Sequence, residues 1–250
     1  MASTISLQSS INWAKPFLFF KPLNIGVNNE PAISSANLIQ QTIVSQPFRW
    51  PWNRAIKSFT CLQQGAPPAT QQDYSVYIPD FGFLERATIV NPVASPNGAI
   101  MPAPIFELEI RNGLSEDAAV GKPNYISFQA DDNNGNIIFR LMPIPDQEYV
   151  INLSYQKKIP LMKDLSTLWS VPDNYSHLYQ YGFMSLMMQY SDDPRWQVYN
   201  AKFVTHLLAS AQGLTEMERN IFEKSWQSIT GFPQSKSIEL QQAWQSRGNL

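Results

Sequence analysis

Apolar and polar residues alternate along the middle of the chain, which is the pattern of β-strands with one buried face. The residues that share a face in the three clearest segments are Tyr74, Val76 and Ile78; Phe106, Leu108 and Ile110; and Tyr149, Ile151, Leu153 and Tyr155. Between two further apolar runs stands Asn134-Gly135, a pair that accepts the positive φ angles of a tight hairpin. These segments predict a meander of antiparallel strands.

The pattern changes to helical spacing in the C-terminal part of the chain. Asp173 is predicted to cap a first helix, and Asp193 with Pro194 to begin a second. Thr215 and Glu218 have the spacing of a capping box and predict a third. The apolar residues at helical spacing are Tyr175, Leu178, Tyr179, Leu186, Met187 and Tyr190 in the first helix, and Trp196, Tyr199, Phe203, Val204, Leu207, Leu208 and Ala211 in the second.

The N-terminal part predicts one helix, in the segment SSANLIQQTIVSQP. Leu38, Ile39, Thr42 and Ile43 lie on one face of that helix, and Pro47 ends it. The prolines on its N-terminal side predict an extended arm. Such an arm either packs on a neighbouring chain or wraps its own core.

The order of these elements predicts an α+β fold, because strands and helices follow one another in blocks rather than alternating. We expect an antiparallel β-meander domain packed with a helical bundle, which is formed by the C-terminal helices and the N-terminal helix and arm. The predicted regions are an arm and helix at 1–46, a β region at 47–165, a helical region at 166–230 and a tail at 231–250.

Composition adds an argument about the surface. Of 250 residues only 15% are charged, while 19 are proline. A surface with so little charge is typical of an interface, although a neutral, proline-rich soluble domain has the same composition. The net charge of −2 disfavours binding to nucleic acid through phosphate neutralisation. No run approaches the roughly 20 apolar residues of a membrane span, so no membrane partner is expected.

Groups that could support catalysis or bind a metal are sparse. His177 and His206 lie on different predicted helices and have no ligand at metal-binding spacing, so both are interpreted as structural. Residues 131–136 resemble a calcium loop, but the position of its bidentate glutamate is Met142, and a hairpin turn explains the same residues. Cys61 is the single cysteine, which excludes a cysteine-based zinc site. We therefore expect no enzyme activity, no catalytic residue, no cofactor and no metal.

The segment SQPFRWPWNR concentrates aromatic surface around Pro51. Because of Pro51 we expect an extended segment, in which Trp50 and Trp52 are predicted to point to opposite sides, so that only one of them enters the core of its own domain. The other then covers a packed helix or another subunit; alternatively, helices bury both rings. Arg49 and Arg54 are placed to stack on the rings or to pair with acids.

Four ordered motifs resemble the head–tail adaptor, or connector, proteins of tailed bacteriophages. They are PFRWPWNR; DYSVYIPDFGFLERA; GKPNYISFQADDNNGNIIFRLMPIPDQEYVINLSYQKKIPLM; and WSVPDNYSHLYQYGFMSLMMQYSDDPRWQVYNAKF. The resemblance extends from about residue 47 to residue 222, and the N-terminal 46 residues match less clearly.

The resemblance implies a structural virion protein. Copies of the chain would form a ring, expected to contain about twelve subunits, beneath the portal protein and above tail or neck proteins. DNA would pass through the lumen without specific binding. The expected location is the neck of the virion, after synthesis in the bacterial cytoplasm. As interface residues we predict Trp50, Trp52, Arg54, Phe222, Trp226 and Trp244.

Two alternatives remain open from the sequence. A tail-tube or stopper protein of the neck would differ in position rather than in chemistry. A β-type module that binds carbohydrate or peptide would use Trp50, Trp52 and nearby tyrosines as a stacking platform.

Overall fold

The computed structural model describes residues 3–17, 29–61, 72–90, 98–107 and 120–230. The chain divides into two compact units. A helical unit contains residues 1–52 and 159–250, and a sheet unit contains residues 53–158. The helical unit is therefore built from both ends of the chain, whereas the four predicted regions follow chain order and stay a prediction.

The helical unit packs five α-helices of the described residues around one core. They are α1 (Leu7–Ala14), α2 (Ala32–Val44), α3 (Ser176–Tyr190), α4 (Trp196–Ser210) and α5 (Glu216–Thr230). Each helix contributes fully buried or nearly buried apolar residues, among them Leu7 from α1, Ile39 from α2, Phe183 from α3, Phe203 from α4 and Trp226 from α5. The predicted N-terminal helix is confirmed as α2, and the three C-terminal helices are confirmed as α3 to α5.

Tight backbone approach in the centre of this core depends on a glycine. A Cβ atom at Gly182 of α3 would lie 2.7 Å from Cδ1 of Ile39 and 3.0 Å from Cδ2 of Phe203. Real Cβ atoms do not approach other heavy atoms so closely, so α2, α3 and α4 pack at this distance only because residue 182 lacks a side chain.

The first residues are not an extended arm. Residues 7–14 form α1, whose Ser6 cap accepts a hydrogen bond from the Ser9 amide, and Leu7 and Ile11 enter the core of the same unit. The prediction that Asp173 caps α3 is wrong. Its carboxylate instead accepts hydrogen bonds from the Ser3 and Thr4 hydroxyls at 2.6 and 2.7 Å. The N-terminal residues thus wrap their own unit.

Two further details of the predicted helices are corrected. Tyr190 is exposed, although it falls on the predicted apolar stripe, because α3 ends at this residue. Helix α4 begins at Trp196 rather than at Pro194, and the Asp193 carboxylate accepts the Arg195 amide at 3.0 Å just before it.

The sheet unit contains seven strands in the order β1-β7-β3-β4-β5-β6-β2. Their bounds are β1 (Arg54–Cys61), β2 (Asp73–Tyr77), β3 (Phe81–Val90), β4 (Gly98–Pro102), β5 (Tyr125–Asp131), β6 (Asn136–Met142) and β7 (Tyr149–Lys157). All neighbours are antiparallel except β4 and β5, which are parallel. Phe59 of the edge strand β1 lies 6.0 Å from Tyr74 of the other edge strand β2, between ring centroids, so the sheet curls until its edges approach.

The α+β fold class is confirmed, but the sheet is not a simple meander. Strand β7 lies between β1 and β3 and pairs antiparallel with both of them. The hairpin of β5 and β6 is confirmed, with positive φ angles at Asn133 and Gly135. The strand predicted at 105–111 is wrong where the structure describes it: residues 105–107 are helical and Phe106 is exposed. Its remaining residues lie outside the described part of the chain.

The residues that resembled a calcium loop are explained by this hairpin. The Asp132 carboxylate accepts the backbone amides of Asn134 and Asn136 at 2.7 and 3.0 Å. Within the described residues no group of three or more histidine, cysteine, aspartate or glutamate side chains is arranged to hold a metal ion. Likewise, no helix of the described ranges combines the length and the apolar character needed to cross a bilayer.

Candidate interaction site

An aromatic cluster in the helical unit brings together four of the six predicted interface residues. Trp50 contacts Trp52, with ring centroids 6.0 Å apart, and Phe222 stacks on Trp226 at 6.3 Å. Phe48 joins the two pairs, because its ring lies 6.4 Å from Trp50 and 4.8 Å from Phe222. The cluster therefore connects the segment after α2 with α5.

The two tryptophans do not point to opposite sides, and the prediction of an extended segment is wrong. Residues Pro51–Asn53 form a turn of 3₁₀-helix. Opposite sides would not have followed from an extended segment either, because side chains two positions apart in a strand share a face. Tyr175 packs against both indoles, with its ring 5.3 Å from Trp50 and 6.2 Å from Trp52.

The two indoles differ in their surroundings. Trp50 is fully buried, and its Nε1 donates a hydrogen bond to the carbonyl oxygen of Ile43 at the end of α2. Trp52 is only partly buried, and its Nε1 has no hydrogen-bond partner among the described residues. Trp50 is thus a core residue, while Trp52 lies at the margin of the same core.

Helix α5 is tied to this cluster at both ends. The predicted capping box is confirmed: the Glu218 amide donates to Thr215 Oγ1 at 3.2 Å, and the Thr215 amide donates to Glu218 Oε2 at 2.9 Å. Arg49, next to Trp50, adds an ion pair to Glu218 at 2.9 Å. Further along, Trp226 Nε1 donates to the buried Asn200 Oδ1 of α4 at 2.8 Å.

These contacts change the acidity of the Glu218 carboxyl. The Thr215 amide and, after it, the Arg49 guanidinium stabilise the carboxylate, so the pKa of Glu218 is lowered from its ordinary value despite partial burial. The N-terminus of α5 is therefore held by a charged carboxylate at neutral pH.

The other predicted interface residues lie elsewhere. Arg54 begins β1 in the sheet unit and forms a bidentate ion pair with Glu85 of β3. Trp244 lies outside the described residues. Phe222 and Trp226 are buried against their own unit, as Trp50 is. An interface role for the six residues stays a prediction, but Trp50 cannot stack on a sugar or a peptide while its ring is enclosed.

Three exposed apolar residues of α5 were not among the interface residues predicted from the sequence. Met217, Ile221 and Ile229 are 72, 52 and 58% exposed. Their spacing places them within about a third of the helix circumference, beside the buried face of Phe222 and Trp226. The sequence did contain an indication of this surface. The apolar residues of α5 form a stripe wider than the face that packs on the core, so some of them must remain exposed.

The comparisons with known proteins agree with the motifs in the sequence. No curated protein matches the chain. The profile of the family described as SU10 adaptor protein matches residues 26–228, which is most of the chain and includes α2 to α5 almost completely as well as the whole sheet unit. This match confirms the resemblance to phage head–tail adaptors, and the chain belongs to the SU10 adaptor protein family.

Proposed function

We propose that this chain is a ring-forming subunit of the head–tail junction, placed beneath the portal protein and above the tail. Membership of a phage adaptor family makes it a structural component of a virion that joins other head and tail proteins. The ring, its position and a count of about twelve copies are the parts that we propose. DNA would cross the lumen without specific contacts, in keeping with a net charge of −2.

The exposed apolar row of α5 carries the proposal. A free monomer gains nothing by holding Met217, Ile221 and Ile229 in water on one rigid helix. In a closed ring the same patch meets the same complementary surface at every interface, so its burial is repeated around the ring. We propose that the row packs against a neighbouring copy of the chain.

The contacts that hold α5 on its own unit support its proposed role as a subunit interface. The capping box, the Arg49–Glu218 ion pair and the Trp226–Asn200 hydrogen bond hold α5 on its own unit. A helix fixed in this way presents its outer row without the loss of conformational freedom that ordering a loose segment would require.

The experiment mixes the purified chain with portal protein and counts the copies bound to each portal by native mass spectrometry. We expect a fixed number of copies, near twelve, on each portal for the wild-type chain. Portal must be present, because adaptor subunits can remain monomeric until the portal templates their assembly. A chain that stays monomeric in the presence of portal would contradict the adaptor role.

A triple variant, Met217→Gln, Ile221→Gln and Ile229→Gln, tests the row itself. Burying each side chain by half contributes about 1 kcal/mol, so the subunit interface should weaken by about two orders of magnitude and the rings should be incomplete. The matched control is Glu216→Gln with Asn220→Gln, at exposed polar positions of the same helix. Complete rings from the triple variant would show that the row is not the subunit interface, while leaving the adaptor role intact.

A further inference from the structure

The only two histidines of the chain meet on the surface of the helical unit. His177 lies in the first turn of α3 and His206 in the second half of α4. Their ring centroids are 5.3 Å apart, and the ring planes are inclined by 76°. Sequence spacing gave no sign of this pair, because it forms only when the two helices pack side by side.

The pair is held by rigid surroundings. Close packing at Gly182 fixes α3 against α4, one to two turns from His177. Tyr181, one turn after His177, stacks on His206 with centroids 5.5 Å apart. Two imidazoles on packed helices, with a tyrosine ring against one of them, form a preorganised pair rather than two independent surface side chains.

The distance between the rings agrees with shared coordination. Metal–nitrogen bonds of about 2.1 Å in a tetrahedral site place the centroids of two ligating imidazoles about 5 Å apart. We propose that His177 and His206 together bind one divalent transition-metal ion, such as Ni²⁺, Cu²⁺ or Zn²⁺, whose remaining positions are filled by water.

The chemistry of the donors sets the choice of ion. Imidazole nitrogen suits these metals, whereas Mg²⁺ and Ca²⁺ require oxygen ligands. Lys202, one turn before His206 on α4, places a positive charge near the pair: its Nζ lies 5.5 Å from the centroid of the Tyr181 ring that stacks on His206, and 5.3 Å from that of Tyr199. Its positive charge opposes a bound cation, so removing it should strengthen binding about threefold.

The test titrates the full-length chain, prepared without a histidine tag, with Ni²⁺ and follows the thermal unfolding midpoint and the heat of binding. Ni²⁺ bridges α3 and α4 only in the folded unit, so the midpoint should rise with the logarithm of the Ni²⁺ concentration once this exceeds the dissociation constant, and Mg²⁺ should not raise it. His177→Asn and His206→Asn should each weaken Ni²⁺ binding at least tenfold, and Lys202→Met should strengthen it.

Circular dichroism without metal establishes that each variant is folded before it is titrated. His206 is exposed, so His206→Asn should leave the fold unchanged even if His177→Asn does not. The proposal is overturned if Ni²⁺ has no effect on the wild-type chain, or if a folded His206→Asn variant binds Ni²⁺ as strongly as the wild type.

Discussion

Trp50 and Trp52 are two residues apart in the chain but occupy different environments. Trp50 is enclosed and donates to the Ile43 carbonyl, whereas Trp52 lies at the margin with an indole nitrogen that is unpaired among the described residues. The sequence predicted aromatic packing here and left open whether helices bury both rings. It could not predict which ring is enclosed, because that depends on the 3₁₀ turn at Pro51–Asn53.

This difference predicts unequal effects of two matched substitutions. Trp50→Phe should lower the free energy of unfolding by about 2–3 kcal/mol, through the lost hydrogen bond and the space left behind. Trp52→Phe should cost less than about 1 kcal/mol, since it removes a partly buried ring edge and an unpaired donor. Urea unfolding followed by far-ultraviolet circular dichroism measures both; an equal or larger effect at Trp52 would contradict the assignment.

Gly182 offers a second comparison at the residue scale. Gly182→Ala should destabilise the helical unit by about 1–3 kcal/mol, because the added methyl group meets Ile39 and Phe203, even though alanine favours a helix. Gly121→Ala is the control, since no heavy atom lies within 4 Å of a Cβ at that position. A neutral or stabilising Gly182→Ala would refute the argument for close packing.

At the scale of elements, short sequence motifs correctly predicted features that depend on neighbouring residues, such as a helix cap and a hairpin. The capping box of α5 and the hairpin between β5 and β6 are both present in the structure, although the positive φ angles of the hairpin lie at Asn133 and Gly135 rather than at the pair Asn134-Gly135. The helical conformation of residues 105–107 and the position of β7 between β1 and β3 were not predicted. Strand pairing joins residues far apart in sequence, so alternation alone does not determine which strands become neighbours.

The charged N-terminus of α5 predicts a pH dependence of stability. The pKa of Glu218 is lowered in the folded chain, so the unfolded chain binds more protons at acidic pH. Its contribution to stability is therefore complete above the ordinary pKa of glutamate and is lost as the pH falls through the folded value.

Urea unfolding at a series of pH values between about 6 and 3 measures this contribution. Glu218→Gln should flatten the acidic decline in stability. Arg49→Gln should retain part of the decline, because the Thr215 amide still stabilises the carboxylate and is the larger influence. If Glu218→Gln shows the same decline as the wild type, the acid-sensitive contact lies elsewhere.

At the scale of the whole molecule, the blocks of strands and helices predicted the α+β class, and the ordered motifs predicted the adaptor family. An interface role for the predicted aromatic residues stays a prediction, but two of them also have a role within their own unit. Phe222 and Trp226 hold α5 on its own unit, while Met217, Ile221 and Ile229 on its outer side remain exposed. Aromatic residues are the stronger signal in a sequence, but large rings also form the best core, so composition does not separate the two uses.

The most direct measurement is an image of the particle neck at a resolution that traces the chain. The account predicts several copies of this protein in one closed ring, in contact with the portal on one side and with tail proteins on the other, and the α5 row buried against the adjacent copy. A neck without this chain, or a single copy bound outside the junction with α5 open to solvent, would contradict it.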